Sequence, residues 1–151
     1  RRMVVHASED VGMADPNALT VATSALVAFQ NLGYPEGLIP LSNAIIYVCE
    51  APKSNAVKAA MLAAQADARE VRDDDVPPYL KDNTFGDKET KAQSKNYKFP
   101  HAYGGYVEQQ YLPDSLKDRV YYVPTDNGFE KRVKEIRKEK GITTSEEEDL
   151  K

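Results

Sequence analysis

The residues of this chain that could do chemistry are few, and their spacing sets narrow limits. Two histidines, His6 and His101, lie far apart with the single cysteine, Cys49, between them. A zinc site draws on closely spaced Cys and His ligands such as a CxxC pair, and the sequence has no such pair. Lys53-Ser54 ends like a phosphate-binding loop, but that loop needs glycine-bearing backbone that closes on Gly-Lys-Ser/Thr. Here Ala51-Pro52 precede the lysine, the ten positions before it hold no glycine, and the proline removes a donor. No glycine fingerprint for a dinucleotide is present either. Glu9-Asp10 would act as paired carboxylates only if they shared a face, and adjacent helix positions do not face each other. Each is therefore expected to serve structure, near a helix terminus or paired with Arg1 or Arg2. His6 reads as a packing residue, and Cys49 as a small buried hydrophobe on an apolar stripe. No catalytic, cofactor-binding or metal residue is expected. The last candidate is a basic helix face, whose ordinary meaning is a solvated surface. Its Lys131, Arg132, Lys134, Arg137 and Lys138 are the candidate DNA contacts.

The elements that would position these residues are helical. Met3-Val4-Val5 lies within a first helix. Asp15-Pro16 is a start signal, because Asp accepts from free amides at an N-cap and Pro fits the first helical position. Leu19, Ala22, Leu26 and Phe29 then recur on one face, and Gly33 stops the helix. Pro40 opens the next helix, where Leu41, Ala44, Ile45, Val48 and Cys49 form a buried stripe that ends before Pro52. On that reading Ile45→Asp abolishes folding. Ser54 caps a third, alanine-rich helix from about Asn55 to Arg72, whose small side chains allow close helix approach.

The middle of the chain differs. Asp73–Asp75 is an acidic stop, Pro77-Pro78 forbids helix, and the polar run from Lys81 to Asn96 predicts a loop or a short, weakly held helix. Seven of the nine tyrosines fall between Tyr79 and Tyr122. The Tyr97–Tyr106 stretch predicts an extended segment and a glycine turn, and Tyr121-Tyr122-Val123 a short strand or extended strap. These rings are expected to drape over the helices. The last helix begins at Thr125-Asp126, buries Phe129, Val133 and Ile136, and ends at Gly141. Ser145–Asp149 then reads as a disordered acidic tail.

The bulk properties agree with one domain over residues 1–141, followed by a tail over 142–151. A chain of 151 residues, 41% hydrophobic and 29% charged, can bury one core. The net charge of −4 argues against a surface that binds nucleic acid everywhere. One cysteine fits a reducing compartment. No apolar run approaches the roughly 20 residues of a membrane span, and a cytoplasmic location is expected. The chain starts without methionine inside a helical stretch, as a part of something longer would.

Five blocks in order resemble the C-terminal part of the RarA/MgsA AAA+ ATPases, relatives of clamp loaders and of the Werner-helicase-interacting protein. They are Arg1-Arg2 through Asp15-Pro16, Leu41 through Val57, Val76–Leu80, Gly105–Pro113 and Pro124–Glu130. The resemblance implies a mainly α fold, a helical array like the clamp-loader collar with an irregular Tyr-rich strap and room for a short β-hairpin. It also implies homotetramer assembly. The intact protein would be a DNA-dependent ATPase at stalled replication forks, using ATP and Mg in an upstream module. A single-stranded DNA-binding protein or other replication proteins are further implied partners. The alternative is an adaptor that binds DNA or a partner protein through the basic last helix and the Tyr-rich strap.

Overall fold

A computed structural model describes residues 1–71, 76–81, 88 and 96–142. Five α-helices carry it: α1 (Arg2–His6), α2 (Asn17–Leu32), α3 (Leu38–Glu50), α4 (Ala56–Ala68) and α5 (Phe129–Glu139). No strand occurs among the described residues, so the fold is mainly α as expected, and Tyr121-Tyr122-Val123 is irregular strap. The acidic stop Asp73–Asp75, nearly all of the Lys81–Asn96 run and the Ser145–Asp149 tail lie outside the described residues. The chain forms two compact units, one from Arg1–Ala66 with the stretch beginning at Val120, the other Asp67–Arg119.

In the first unit the start and stop residues act largely as their chemistry dictates. Asp15 accepts from the Asn17 amide at 3.0 Å, and Gly33 ends α2 at φ +70°. The Ser54 hydroxyl accepts from the Ala56 amide at 3.2 Å to open α4. Helix α1 runs into a wider π turn, Ala7–Val11. The Asp10 carbonyl of that turn receives the Ser54 amide at 2.8 Å, which ties the α3–α4 link to the first helix. α2 and α3 pack against each other as a hairpin. α5 starts at Phe129, later than Thr125-Asp126: the Thr125 hydroxyl donates to Glu130 and accepts from the Asn127 amide at 3.2 Å, and Gly128 takes a positive φ before the helix begins.

The core corrects the sequence reading. Its buried apolar residues are Ala7, Val11, Ala14, Ala18, Ala22, Ala25, Ala44, Val48, Ala51 and Ala56. Alanine lines the closest approaches, so the helices pack backbone to backbone and the larger side chains point elsewhere. Leu19 and Ile45 are 44% and 47% exposed, Phe129 is 44% exposed, and Cys49 is exposed. The apolar arc of α3 is wider than the part its neighbours cover. A stripe of correct period therefore did not reveal which of its edges faces inward. Ile45→Asp is now expected to leave the fold intact, with a stability change within about 0.5 kcal/mol in the dissociated chain. Urea unfolding of dilute protein checks this.

In the second unit the Gln109 side chain clasps the strap. Its Oε1 accepts from the Lys98 amide at 3.1 Å, and its Nε2 donates to the Lys98 carbonyl at 3.0 Å. A 3₁₀ turn over Pro100–Tyr103 and the glycines at 104 and 105 close the loop between them. The Tyr79 hydroxyl donates to the Gln110 carbonyl. Tyr97, Phe99, Tyr103, Tyr106 and Tyr111 are 39–58% exposed, where burial was expected of them.

Candidate functional site

The basic helix is held by a buried carboxylate. Glu130, in the first turn of α5, is fully buried. Its Oε2 accepts from the Thr125 amide at 2.8 Å and the Thr125 hydroxyl at 2.6 Å, and its Oε1 accepts from the Tyr122 hydroxyl at 3.0 Å. Burial pushes this carboxyl upward, but the hydrogen bonds from Thr125, Ser54 and Tyr122 outweigh it and hold the group below its ordinary value. Burial, then the Glu130 bond, pushes the Tyr122 phenol up to about 12. Gly128, just before the helix, lies against the Ala14 carbonyl and Pro52. The Asn127 side chain donates to the Lys53 carbonyl at 2.9 Å. One turn thus fastens α5 to the α3–α4 link and to the segment before α2.

The five candidate DNA contacts do not share one environment. Arg132 pairs with Glu135 at 3.0 Å and Glu139 at 3.6 Å, and Lys134 pairs with Asp126 at 3.1 Å. Arg137 donates to the Tyr122 carbonyl at 2.9 Å and its guanidinium sits 5.0 Å from the centre of the Tyr122 ring. Lys131 and Lys138 are exposed. Positions 131, 134 and 138 share one helix face, so the outward basic stripe is a row of lysines, and Arg137 belongs to the packing.

The remaining reactive groups are arranged for structure. The Lys53 ammonium donates to the Val48 carbonyl at 2.9 Å and the Cys49 carbonyl at 3.1 Å, and also to that of Ala51. It thereby neutralises the C-terminal end of α3. Ser54 caps α4, so neither half of the phosphate-loop look-alike addresses a phosphate. Glu9 pairs with Lys58 rather than with Arg1 or Arg2, and Asp10 pairs with His6 Nδ1 at 2.5 Å. The His6 side chain is 46% exposed, a surface contact of Asp10 and not the packing residue expected. One helical turn separates the two residues, which the backbone aligns on one face. An open hollow of about 500 Å³ lies between His6, Asp10, Lys53, Asn55 and Asn127. His101 stacks at a tilt against Phe99, ring centres 5.1 Å apart. Among the described residues no group of three or more His, Cys, Asp or Glu gathers to hold a metal.

Sequence reasoning missed a set of exposed aliphatic side chains. Leu19, Val27 and Leu32 of α2, Leu38, Ile39, Ile45 and Ile46 of α3, and Val57, Met61 and Leu62 of α4 are all exposed. An apolar groove of about 390 Å³ runs between α1 and α4, lined by Val4, Val5, Val57 and Met61. The legible signal was the count: these helices carry more large aliphatics than one stripe each can hide.

The model of the family described as MgsA AAA+ ATPase C terminal matches residues 1–140. The chain belongs to this family. It is 43% identical over 138 residues to Replication-associated recombination protein A of Bacillus subtilis (strain 168), covering 90% of this chain and 33% of that protein. The protein of the same name from Escherichia coli (strain K12) is 39% identical over 137 residues, 89% of this chain and 31% of that one. A more distant relative, ATPase WRNIP1 of Dictyostelium discoideum, is 29% identical over 124 residues, 81% of this chain and 14% of that protein. The chain thus spans about a third of the two recombination proteins. Among the described residues no helix is long and apolar enough to cross a membrane.

Proposed function

We propose that this chain is the assembly module of a DNA-dependent AAA+ ATPase of replication-associated recombination. It forms a homotetramer through two-fold interfaces and performs no catalytic step itself. ATP and Mg would bind in the part of the relatives that this chain does not span, and the protein would act in the cytoplasm on stalled forks. The observation that carries the reading is the inverted distribution of apolar side chains. Alanines fill the core, while ten larger aliphatics on α2, α3 and α4 stay exposed. Exposed apolar surface on that scale marks an interaction site, and the family's AAA+ membership supports a copy of the same chain as its occupant. Multi-angle light scattering at about 100 μM, well above the Kd of weak specific complexes, should return four times the chain mass. A monomer there would refute the reading.

The exposed Lys131 and Lys138 favour a second, compatible reading, in which α5 touches nucleic-acid phosphates. Replacing both with Gln should weaken binding to all DNA sequences alike. The salt dependence of log K should fall by about 2, one unit per lost phosphate contact. Fluorescence anisotropy across a salt series checks this, and an unchanged slope would remove α5 from the DNA interface.

A further inference from the structure

Helix α5 carries three carboxylates among its five cations, and the first, Glu130, is buried under Thr125 and Tyr122. The other two share one partner. Glu135 lies 3.0 Å and Glu139 3.6 Å from the Arg132 guanidinium. Spacing alone would also let Glu135 pair elsewhere. It stands four positions after Lys131 and three before Lys138, and residues three and four apart are neighbours on a helix surface. Yet its carboxylate turns to Arg132, and among the described residues neither Lys131 nor Lys138 makes an ion pair. Arg132 itself projects about 100° round the helix from Lys131, away from the row of Lys131, Lys134 and Lys138.

We propose that Arg132 is a positioning residue of the α5 interface, one that touches no phosphate and holds Glu135 off Lys131 and Lys138. This rests on the reading of α5 as a helix that contacts nucleic-acid phosphates, and it names what keeps those lysines free. A guanidinium presents five donors in a planar fork, so one side chain can hold two carboxylates at once. A phosphate approaching Arg132 would meet the charges of Glu135 and Glu139, which repel it. The same two carboxylates, held there, leave the lysine row uncompensated. Lys134 is the exception, because Asp126 pairs with it at 3.1 Å. Were Arg132 removed, Glu135 would find its nearest cations at Lys131 and Lys138, on its own helix face. Each pair so formed would compete with a phosphate for its lysine.

Fluorescence anisotropy with the full chain and a fluorescein-labelled, random-sequence DNA duplex tests the proposal. Arg132→Gln should weaken binding roughly threefold, the scale of a helix-surface pair gained at the lysines' expense plus one lost charge. Adding Glu135→Gln should restore the native affinity and the native salt slope, because the carboxylate that would fall on the lysines is gone. Adding Glu139→Gln instead gives a chain of the same net charge but leaves Glu135 free, and binding should stay weak. Glu139 directly follows Lys138, and adjacent helix positions do not face each other. The Arg132, Glu135 and Glu139 side chains are 54%, 51% and 66% exposed, so circular dichroism should be unchanged in every variant. Equal rescue by the two double variants would reduce the effect to net charge and overturn the proposal. So would an Arg132→Gln chain that binds as the native one does. A salt slope lower by about 1 in both double variants would make Arg132 itself a phosphate contact and also overturn it. Each of these results leaves the α5 reading standing. An unchanged slope after Lys131→Gln with Lys138→Gln would overturn that reading, and the role of Arg132 with it.

Discussion

Gly128→Ala is expected to be the most damaging single-methyl change in the first unit. A Cβ at that position would stand 2.1 Å from the Ala14 carbonyl oxygen and 2.6 Å from Pro52 Cγ. Backbone and a proline ring are what it meets, so no flexible side chain can move aside. The residue also holds φ +53° and ψ −130°, a region closed to L side chains. Strain and overpacking together should cost roughly 3 kcal/mol or more. Gly104 supplies the control, because it also has a positive φ, +75°, but nothing lies within 4 Å of its added Cβ. Gly104→Ala should cost only about 1 kcal/mol, the left-handed penalty alone. Urea unfolding of both variants sets strain and clash together at Gly128 against the left-handed penalty alone at Gly104, and equal losses would show that the turn before α5 is neither strained nor closely packed.

Glu130→Gln is expected to come next. The change keeps the volume but replaces one acceptor oxygen with a donor amide, set against the Thr125 amide and hydroxyl or the Tyr122 hydroxyl. An orphaned buried donor costs about 1–3 kcal/mol, and more where the lost partner was charged. A total near 3 kcal/mol follows at pH 7, because α5 loses its tie to the strap. The pH dependence has a definite sign. The folded carboxyl lies below its ordinary value of 4.5, so the native state prefers the ionised form. Its contribution is complete above about pH 4.5 and is lost as pH falls through the depressed folded value. The gap between the native chain and Glu130→Gln should therefore narrow in acid, and a gap that stays constant down to pH 3 would show that the charge on Glu130 is not what holds the turn. Tyr122 runs the other way. Its raised value makes its contribution fade as pH climbs from 10 towards about 12.

Local chemistry was read correctly at several single residues. α3 nevertheless opens at Leu38, two positions before the Pro40 expected to start it, because a proline is tolerated anywhere in the first turn, where its missing donor is not needed. Asp15 and Ser54 accept from helix amides where their side chains predict, and Gly33 and Pro52 bound helices where their backbones require. The rejection of Lys53-Ser54 as a phosphate loop followed from the absent glycines, and the structure adds the positive role, a clamp on the α3 C-terminus. The basic face of α5 was visible as a charge pattern. Its division into Arg137, folded against Tyr122, and the outward lysines was not, because that depends on a partner fifteen residues away.

The kind of fold was present in the sequence by itself, since capping residues, helical period and alanine content act over one or two turns. Membership in the family followed from five blocks in order along the chain. Only the tertiary structure decided which edge of each apolar arc faces inward. Periodicity gives the direction of a stripe and not the identity of its neighbour, and the small alanines won the interior because close backbone approach excludes Leu19 and Ile45. The Glu130 centre was equally hidden. A glutamate in the first turn of a basic helix looks like a solvated charge until Thr125, Tyr122 and Ser54, from the strap and a distant helix cap, close around it and satisfy the buried carboxylate.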